Sequence, residues 1–116
     1  VGPSDVRMSD FSSWGPTDDG RINPDIVAMG VNVLSTFSQN NGYGVLSGTS
    51  MSTPNVSGSL VLLQQMYHRL HGKYMDAATL KGLVLHTARE AGTSNGPDYQ
   101  FGWGLANIDG AARFIK

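Results

Sequence analysis

The sequence predicts an α/β domain, or part of one, built from short strands, tight turns and helices. Short apolar segments separated by Gly and Pro fill the first half of the chain, which is typical of strands. A long apolar stretch follows, and a second stretch repeats apolar residues at helical spacing. Glycine supplies 15 of the 116 residues, roughly twice its usual ~7%. It follows no repeat period, so it indicates a loop-rich domain and not a fibre.

Composition excludes several classes of protein. The formal net charge of −1 gives no reason to expect nucleic acid or an anionic membrane as a partner. No apolar run approaches the ~20 residues needed to cross a bilayer. The chain has no cysteine, which excludes disulfides, thiolate metal sites and a cysteine nucleophile. The segment 1–5 has neither the basic start nor the apolar core of a signal peptide, and without an initiator Met we expect a processed, excised or cloned piece.

The first third of the chain predicts one strand and one turn. Residues 6–12 form a candidate strand that ends before the Gly15-Pro16 break. The segment 17–20 (Thr-Asp-Asp-Gly) predicts a turn, because Asp-Gly suits positive φ. Its two acids suggest calcium as an alternative, but the alternating acidic ligands of a calcium loop are absent. The structural turn is therefore favoured.

Two further strands and a hairpin signal precede the long helix. The strands are predicted over residues 26–28 and 31–36, and Met29-Gly30 separates them. The polar segment 38–42 contains Asn41-Gly42, which is a hairpin signal.

Three helices complete the prediction. The first begins at about Ser50 and ends at Leu70 or His71, with Gly72 as its C-cap. Pro54 is expected in its first turn, where a missing N–H costs nothing. The second helix runs from an N-cap at Asp76 to about residue 90 and is ended by Gly92. Asn107 caps the last helix, over residues 108–115. Between them, the aromatic and glycine residues of segment 101–104 are expected to pack rings over tight backbone.

Ser50 is the candidate nucleophile. Gly48 can adopt backbone angles closed to other residues and leaves room for a substrate backbone. A hydroxyl at a helix N-terminus lies among unpaired N–H groups and the positive end of the helix dipole, which can hold an oxyanion. The alternative is a simple helix cap, for which Ser and Thr are favoured residues.

Four motifs in order favour the nucleophile. Residues 48–54 (Gly-Thr-Ser-Met-Ser-Thr-Pro) resemble the active-site serine signature of the subtilisin-like serine peptidases. Residues 11–16 and 24–30 resemble the Phe-Ser-Ser-x-Gly-Pro and Pro-Asp-Ile-x-Ala-Pro-Gly segments of that family. Residues 99–107 resemble its Tyr-Gly-x-Gly-x-Val/Ile-Asn stretch. The resemblance spans nearly the whole chain, and it implies that residues 1–116 are the C-terminal portion of a peptidase domain.

This resemblance implies a fold, an activity and site residues. The fold would be a three-layer α/β/α sandwich with a largely parallel sheet, present here as its C-terminal part. The activity would be endopeptidase hydrolysis of a polypeptide through an acyl-enzyme on Ser50, without cofactor or metal. The N–H of Ser50 would donate to the oxyanion hole and Thr49 would support it, while Gly48, Met51 and Pro54 complete the motif. A secreted or cell-envelope location is also implied.

The acid and base of that mechanism are not identified within this chain. His68 lies 18 residues beyond Ser50, or ~27 Å along the same helix, whereas a base must lie within ~3 Å. His71 lies further along the same helix. His86 is on the next helix, and even if the two helices are antiparallel it remains far from Ser50. Asp25 belongs to a motif that is structural in the family, so we interpret it as a turn or cap group. By resemblance, the catalytic Asp, His and oxyanion Asn lie before Val1, and the chain alone is expected to be inactive.

Two departures from the family pattern and two alternative functions stay open. Met29 stands where the family usually has Pro, and Asn55 where many relatives have His. A non-catalytic relative used for binding or scaffolding is the second hypothesis. An α/β-hydrolase is the third, but Ser52 stands where its Gly-x-Ser-x-Gly elbow needs the second Gly. Because apolar residues wrap most of the long helix, we also expect the chain to associate with the missing part of its domain or with itself.

Overall fold

A computed structural model describes residues 2–39 and 42–116. After a 3₁₀ turn at Pro3–Asp5, the elements in chain order are strands β1 (Val33–Phe37) and β2 (Gly42–Leu46) and helices α1 (Thr49–His71), α2 (Ala77–His86) and α3 (Ile108–Phe114). None of these described helices combines the length and apolarity needed to span a membrane.

The two strands form an antiparallel sheet. Their register runs from Val33 opposite Leu46 to Phe37 opposite Gly42. The predicted strand over 31–36 therefore begins two residues later, because Asn32 adopts a positive φ of 53° that interrupts the extended chain. The Asn41-Gly42 hairpin signal falls partly on Asn40 and Asn41, which lie outside the described residues.

The predicted strand over residues 6–12 is wrong. Residues 6–9 are irregular, and a turn follows in which the N–H of Ser12 donates to the carbonyl of Ser9 at 3.2 Å. A strand is stabilised by the ladder of its neighbours, and within the described part of the chain no segment offers this one a ladder. The apolar pattern alone was therefore insufficient.

Among the described residues, parallel pairing occurs at one position, within the segment 26–28 that the sequence predicts to be a strand. Val27 forms a parallel bridge with Leu105. The Val27 N–H donates to Gly104 at 3.0 Å, and the N–H of Ala106 donates to Val27 at 2.9 Å. On its other side Leu105 pairs with Arg89 in antiparallel fashion. Residues 103–106 thus join the segment before the sheet to the end of α2.

Capping residues set the starts of α2 and α3 and the end of α1. Asp76 caps α2 by accepting from the Thr79 N–H at 2.7 Å, and Asn107 caps α3 by accepting from Gly110 at 3.1 Å. The backbone N–H and side chain of Thr79 lower the pKa of Asp76 below its ordinary value of 3.8. Gly72 ends α1 in the left-handed conformation, with φ of 71°. All three caps confirm the sequence predictions.

Two predictions about helix interiors need correction. Helix α2 ends at His86, not near residue 90, because Arg89 leaves the helix to exchange two hydrogen bonds with Leu105 at 2.8 and 2.9 Å. Gly92 does not end that helix; the ring of Phe101 lies where a Cβ of Gly92 would be, which confirms the expected packing of rings over glycine. Pro54 is the sixth residue of α1, beyond its first turn. It therefore has no N–H to offer the carbonyl of Ser50.

The core is small and lies where the three helices meet. Its buried members are all apolar: Leu63, Met75, Leu83, Val84 and Ala111. The side-chain amide of Gln64 fixes the chain between α1 and α2, because it donates to the Met75 carbonyl at 2.9 Å and accepts from the Met75 N–H at 2.8 Å. The accessible surface is 7888 Å², against about 6,100 Å² for a folded monomer of 12.4 kDa. A large surface is therefore left without cover.

Candidate active site

Ser50 is the second residue of α1, and it is exposed. Gly48 precedes the helix with φ of 159° and ψ of 164°, at the edge of a region that side-chain-bearing residues rarely adopt. The Gly48 carbonyl accepts from the N–H groups of Met51 and Ser52 at 3.0 and 3.3 Å. Within residues 2–39 and 42–116, the N–H of Ser50 has no acceptor. That donor is free to bind an anion beside the hydroxyl.

Three hydrogen bonds fasten the serine turn to the segment 28–32. The Gly48 N–H donates to the Gly30 carbonyl at 2.8 Å. The hydroxyl of Ser52 donates to the Ala28 carbonyl at 3.1 Å. The N–H of Asn32 donates to the hydroxyl of Ser47 at 2.8 Å. The motif at residues 24–30 therefore supports the turn that carries Ser50.

Gly30 allows this close approach. A Cβ at that position would lie 2.9 Å from the Gly48 carbonyl oxygen and 3.1 Å from the Cβ of Ser52. The first distance is shorter than real Cβ contacts permit, so the two segments could not meet as they do. The sequence analysis noted Gly30 as part of a motif but missed its partner.

The supporting segment is itself anchored to the end of the chain. The N–H of Trp103 donates to the Asp25 carbonyl at 3.0 Å, next to the parallel bridge between Val27 and Leu105. A Cβ on Gly102 would collide with the Pro24 carbonyl, and Gly102 has φ of +64°. The motifs around residues 24, 48 and 102 are thus packed as one unit.

Asp25 is placed away from Ser50. Its carboxylate accepts from the Nζ of Lys81 on α2 at 2.7 Å, in an exposed ion pair. The predicted turn or cap role of Asp25 needs correction, because in the described structure its side chain binds a partner 56 residues along the chain, which no sequence signal indicated. Exposed pairs of this kind contribute little to stability.

The three histidines cluster at the opposite end of α1. The ring of His68 stacks on that of Tyr74 with 4.5 Å between the ring centroids, and the rings of His71 and Tyr67 have centroids 4.4 Å apart. His86 meets Phe114 edge-on at 5.2 Å. Since α1 is continuous from Thr49 to His71, His68 lies about 27 Å from Ser50. Within the described ranges, no histidine or carboxylate is hydrogen bonded to the Ser50 hydroxyl.

The turn at residues 17–20 is confirmed as a structural turn. The N–H of Gly20 donates to the Thr17 carbonyl at 2.8 Å. Asp19 accepts from the Thr17 hydroxyl at 2.6 Å and from Arg21 at 2.8 Å. The Thr17 hydroxyl, and then Arg21, lower the pKa of Asp19 below its ordinary value of 3.8. Among residues 2–39 and 42–116, no three His, Asp or Glu side chains converge as metal ligands.

An open, mostly apolar cleft of about 690 Å³ lies next to the serine turn. Thr49 and Ser52 line it from α1, and residues 5–9 and 26–31 line its other walls. Met29, which departs from the family pattern, is exposed in this cleft. Ser50 itself is not part of the cleft wall.

The sequence model of the Subtilase family matches residues 3–104 of this chain. C5a peptidase of Streptococcus pyogenes is 55% identical over 64 residues, which cover 55% of this chain and 5% of the relative. PII-type proteinase of Lacticaseibacillus paracasei is 45% identical over 80 residues, which cover 68% of this chain and 4% of the relative. Subtilisin-like protease SBT3.13 of Arabidopsis thaliana is 36% identical over an alignment of 130 residues, which covers 96% of this chain and 16% of the relative. The chain therefore spans a small part of each relative's length.

Solved structures give the same result for the fold. The CspB protease of Clostridium perfringens superposes with a TM-score of 0.81 and 29% identity, covering 93% of this chain and 23% of that one. The prenylagaramide maturation protease PagA gives a TM-score of 0.74 and 30% identity, covering 93% of this chain and 38% of that one. The PatG macrocyclase domain gives a TM-score of 0.74 and 26% identity, covering 98% of this chain and 35% of that one. These matches confirm the predicted subtilisin-like α/β fold, of which the described residues supply one part.

The match to the family covers far more than half of the chain, and the relatives named above are proteases, as are two of the three structural neighbours. The chain belongs to the subtilase family of serine peptidases.

Proposed function

We propose that Ser50 is the nucleophile of a serine endopeptidase that cleaves polypeptides. The observation that carries this proposal is an exposed hydroxyl beside an N–H of the same residue, at the start of α1, that has no acceptor in the described part of the chain. The family match and the Gly-Thr-Ser-Met sequence support it.

The geometry suits acyl transfer. The Ser50 oxygen attacks the peptide carbonyl, and its proton passes to a base. The carbonyl oxygen becomes an oxyanion that the Ser50 N–H can stabilise, with Thr49 beside it. Return of the proton to the amine releases the first product, and water then hydrolyses the ester. No cofactor enters these steps.

The base, the orienting acid and the oxyanion Asn come from a part of the protein outside these 116 residues. The distance between Ser50 and the histidines of this chain supports this proposal, as does the small share of each relative that the chain covers. Residues 1–116 are thus the nucleophile-bearing part of one catalytic domain, and inactive alone. A secreted or cell-envelope location is part of this proposal, and membership of the subtilase family supports it.

The complete protein is expected to hydrolyse unfolded casein, and a fluorophosphonate should stop the reaction. The reason is that this reagent reacts with an activated serine hydroxyl and leaves a stable adduct. Peptide release measured over time, with and without the reagent, tests the proposal. Absence of hydrolysis by folded protein would favour the alternative of a binding or scaffolding module.

The exposed apolar surface supports a partner for this chain. Leu63 is the buried residue of α1, while Val61 and Leu62 beside it are 67% and 62% exposed. On β1 and β2, Leu34 and Tyr43 are 67% and 76% exposed. Leaving ~400 Å² of apolar surface uncovered costs ~10 kcal/mol, which is comparable to the stability of a domain. We propose that the rest of the catalytic domain covers this surface.

Without that cover, the purified 116-residue chain is expected to form dimers or larger assemblies. Light scattering across a concentration series measures this, and replacing the exposed Val61 and Leu62 together by Gln should shift the mass downward without loss of the core. A monomer at high micromolar concentration, with cooperative unfolding and no binding of a dye to apolar surface, would contradict the expectation.

A further inference from the structure

Ser52 makes a contact that the nucleophile's chemistry does not require. Its hydroxyl donates to the Ala28 carbonyl at 3.1 Å, in a partly buried setting and across 24 residues of sequence. Serine and threonine inside helices usually bond to the preceding turn of their own helix. Thr53 and Ser59 do so, donating to Thr49 and Asn55 at 3.0 and 2.8 Å. Ser52 instead binds α1 to another segment.

The contact is on the side of α1 opposite Ser50. Successive helical residues are about 100° apart, so Ser50 and Ser52 point about 200° from each other. Ser52 therefore faces the supporting segment while Ser50 faces solvent, in agreement with their burial. The bond through Gly48 fixes only the start of the turn, at Gly30. The bond from Ser52 restrains the rotation of α1 about its own axis.

We propose that Ser52 is a positioning residue for Ser50: its hydroxyl sets the orientation in which α1 presents the nucleophile. It touches neither substrate nor the reacting atoms. This inference rests on the proposed role of Ser50. The physical reason is that the rate of a preorganised reaction is sensitive to displacements of the order of 1 Å, because the reacting groups must be held in one geometry.

Ser52→Ala in the complete protein is expected to lower kcat and the rate of fluorophosphonate labelling at Ser50 about 3- to 10-fold. This is the range for losing one neutral hydrogen bond. KM should change less than about twofold, because substrate contacts are kept. Ser52→Thr, which retains a hydroxyl next to the open cleft, should restore most of the rate.

Thr87→Val is the matched control. It removes a hydroxyl-to-carbonyl bond of similar length and burial, from Thr87 to Leu83 at 2.9 Å, but one that stays within its own helix, at the end of α2. It should match Ser52→Ala in thermal stability and leave kcat and labelling unchanged. Normal labelling of Ser52→Ala, or an equal loss in Thr87→Val, would overturn the positioning role while leaving Ser50 as nucleophile. A wild-type protein that is not labelled at Ser50 would overturn the proposed function, and this inference with it.

Discussion

Ser50→Ala in the complete protein is expected to lower kcat by about 10⁶-fold, with residual hydrolysis from the oxyanion hole and substrate binding. The reason is that alanine keeps the backbone N–H but removes the oxygen that forms the acyl-enzyme. Folding should be unaffected, because the Ser50 side chain is exposed and holds no other residue in the described structure. Steady-state kinetics on a peptide substrate measure the loss.

Ser57→Ala is a suitable control for that substitution. Ser57 is also an exposed serine on α1, two turns further along, so the same atom is removed from the same helix. It should retain wild-type kcat within about twofold, as surface substitutions usually do. Near-wild-type turnover of Ser50→Ala would show that the nucleophile is elsewhere.

The 116-residue chain by itself is expected to release no peptides from casein. Its Ser50 hydroxyl has no base in reach, since His68 lies about 27 Å along α1 and the other two histidines pack at the same far end. An unactivated serine is a weak nucleophile. Overnight incubation with labelled casein, compared with the complete protein at equal concentration, makes the measurement.

Two controls make a negative result informative. Circular dichroism should show the helices of α1 and α2, so that unfolding does not explain the inactivity. Addition of the remaining part of the catalytic domain should restore hydrolysis if the two parts can reassemble. Hydrolysis by the isolated chain that disappears both on heating and in its Ser50→Ala variant would show that a base exists within these residues.

Local chemistry made the helix termini predictable. Asp76, Asn107 and Gly72 act through groups three or four residues away, which a sequence displays directly. The end of α2 was not predictable in this way. Arg89 leaves that helix for a partner 16 positions later, and a long-range pairing of this kind overrides helix propensity.

The same distinction holds at the candidate site. Ser50 and its neighbours could be proposed from the sequence because their motif is contiguous. The residues that fasten them, Ser47, Ser52 and Asn32, act across 15 to 24 positions, so their partners were not visible. A signal that could have found part of this arrangement is the alternation of Ala28 and Gly30, since the backbone groups of alternate residues in an extended segment point to the same edge.

Mapping the fluorophosphonate adduct by mass spectrometry tests most directly whether Ser50 is a nucleophile activated from outside this chain. The complete protein and the isolated 116-residue chain are treated alike, digested and analysed for the modified peptide around residues 48–54. We predict stoichiometric modification of Ser50 in the complete protein and none in the isolated chain. Modification of a different serine, or equal modification of Ser50 in the folded isolated chain, would contradict the account.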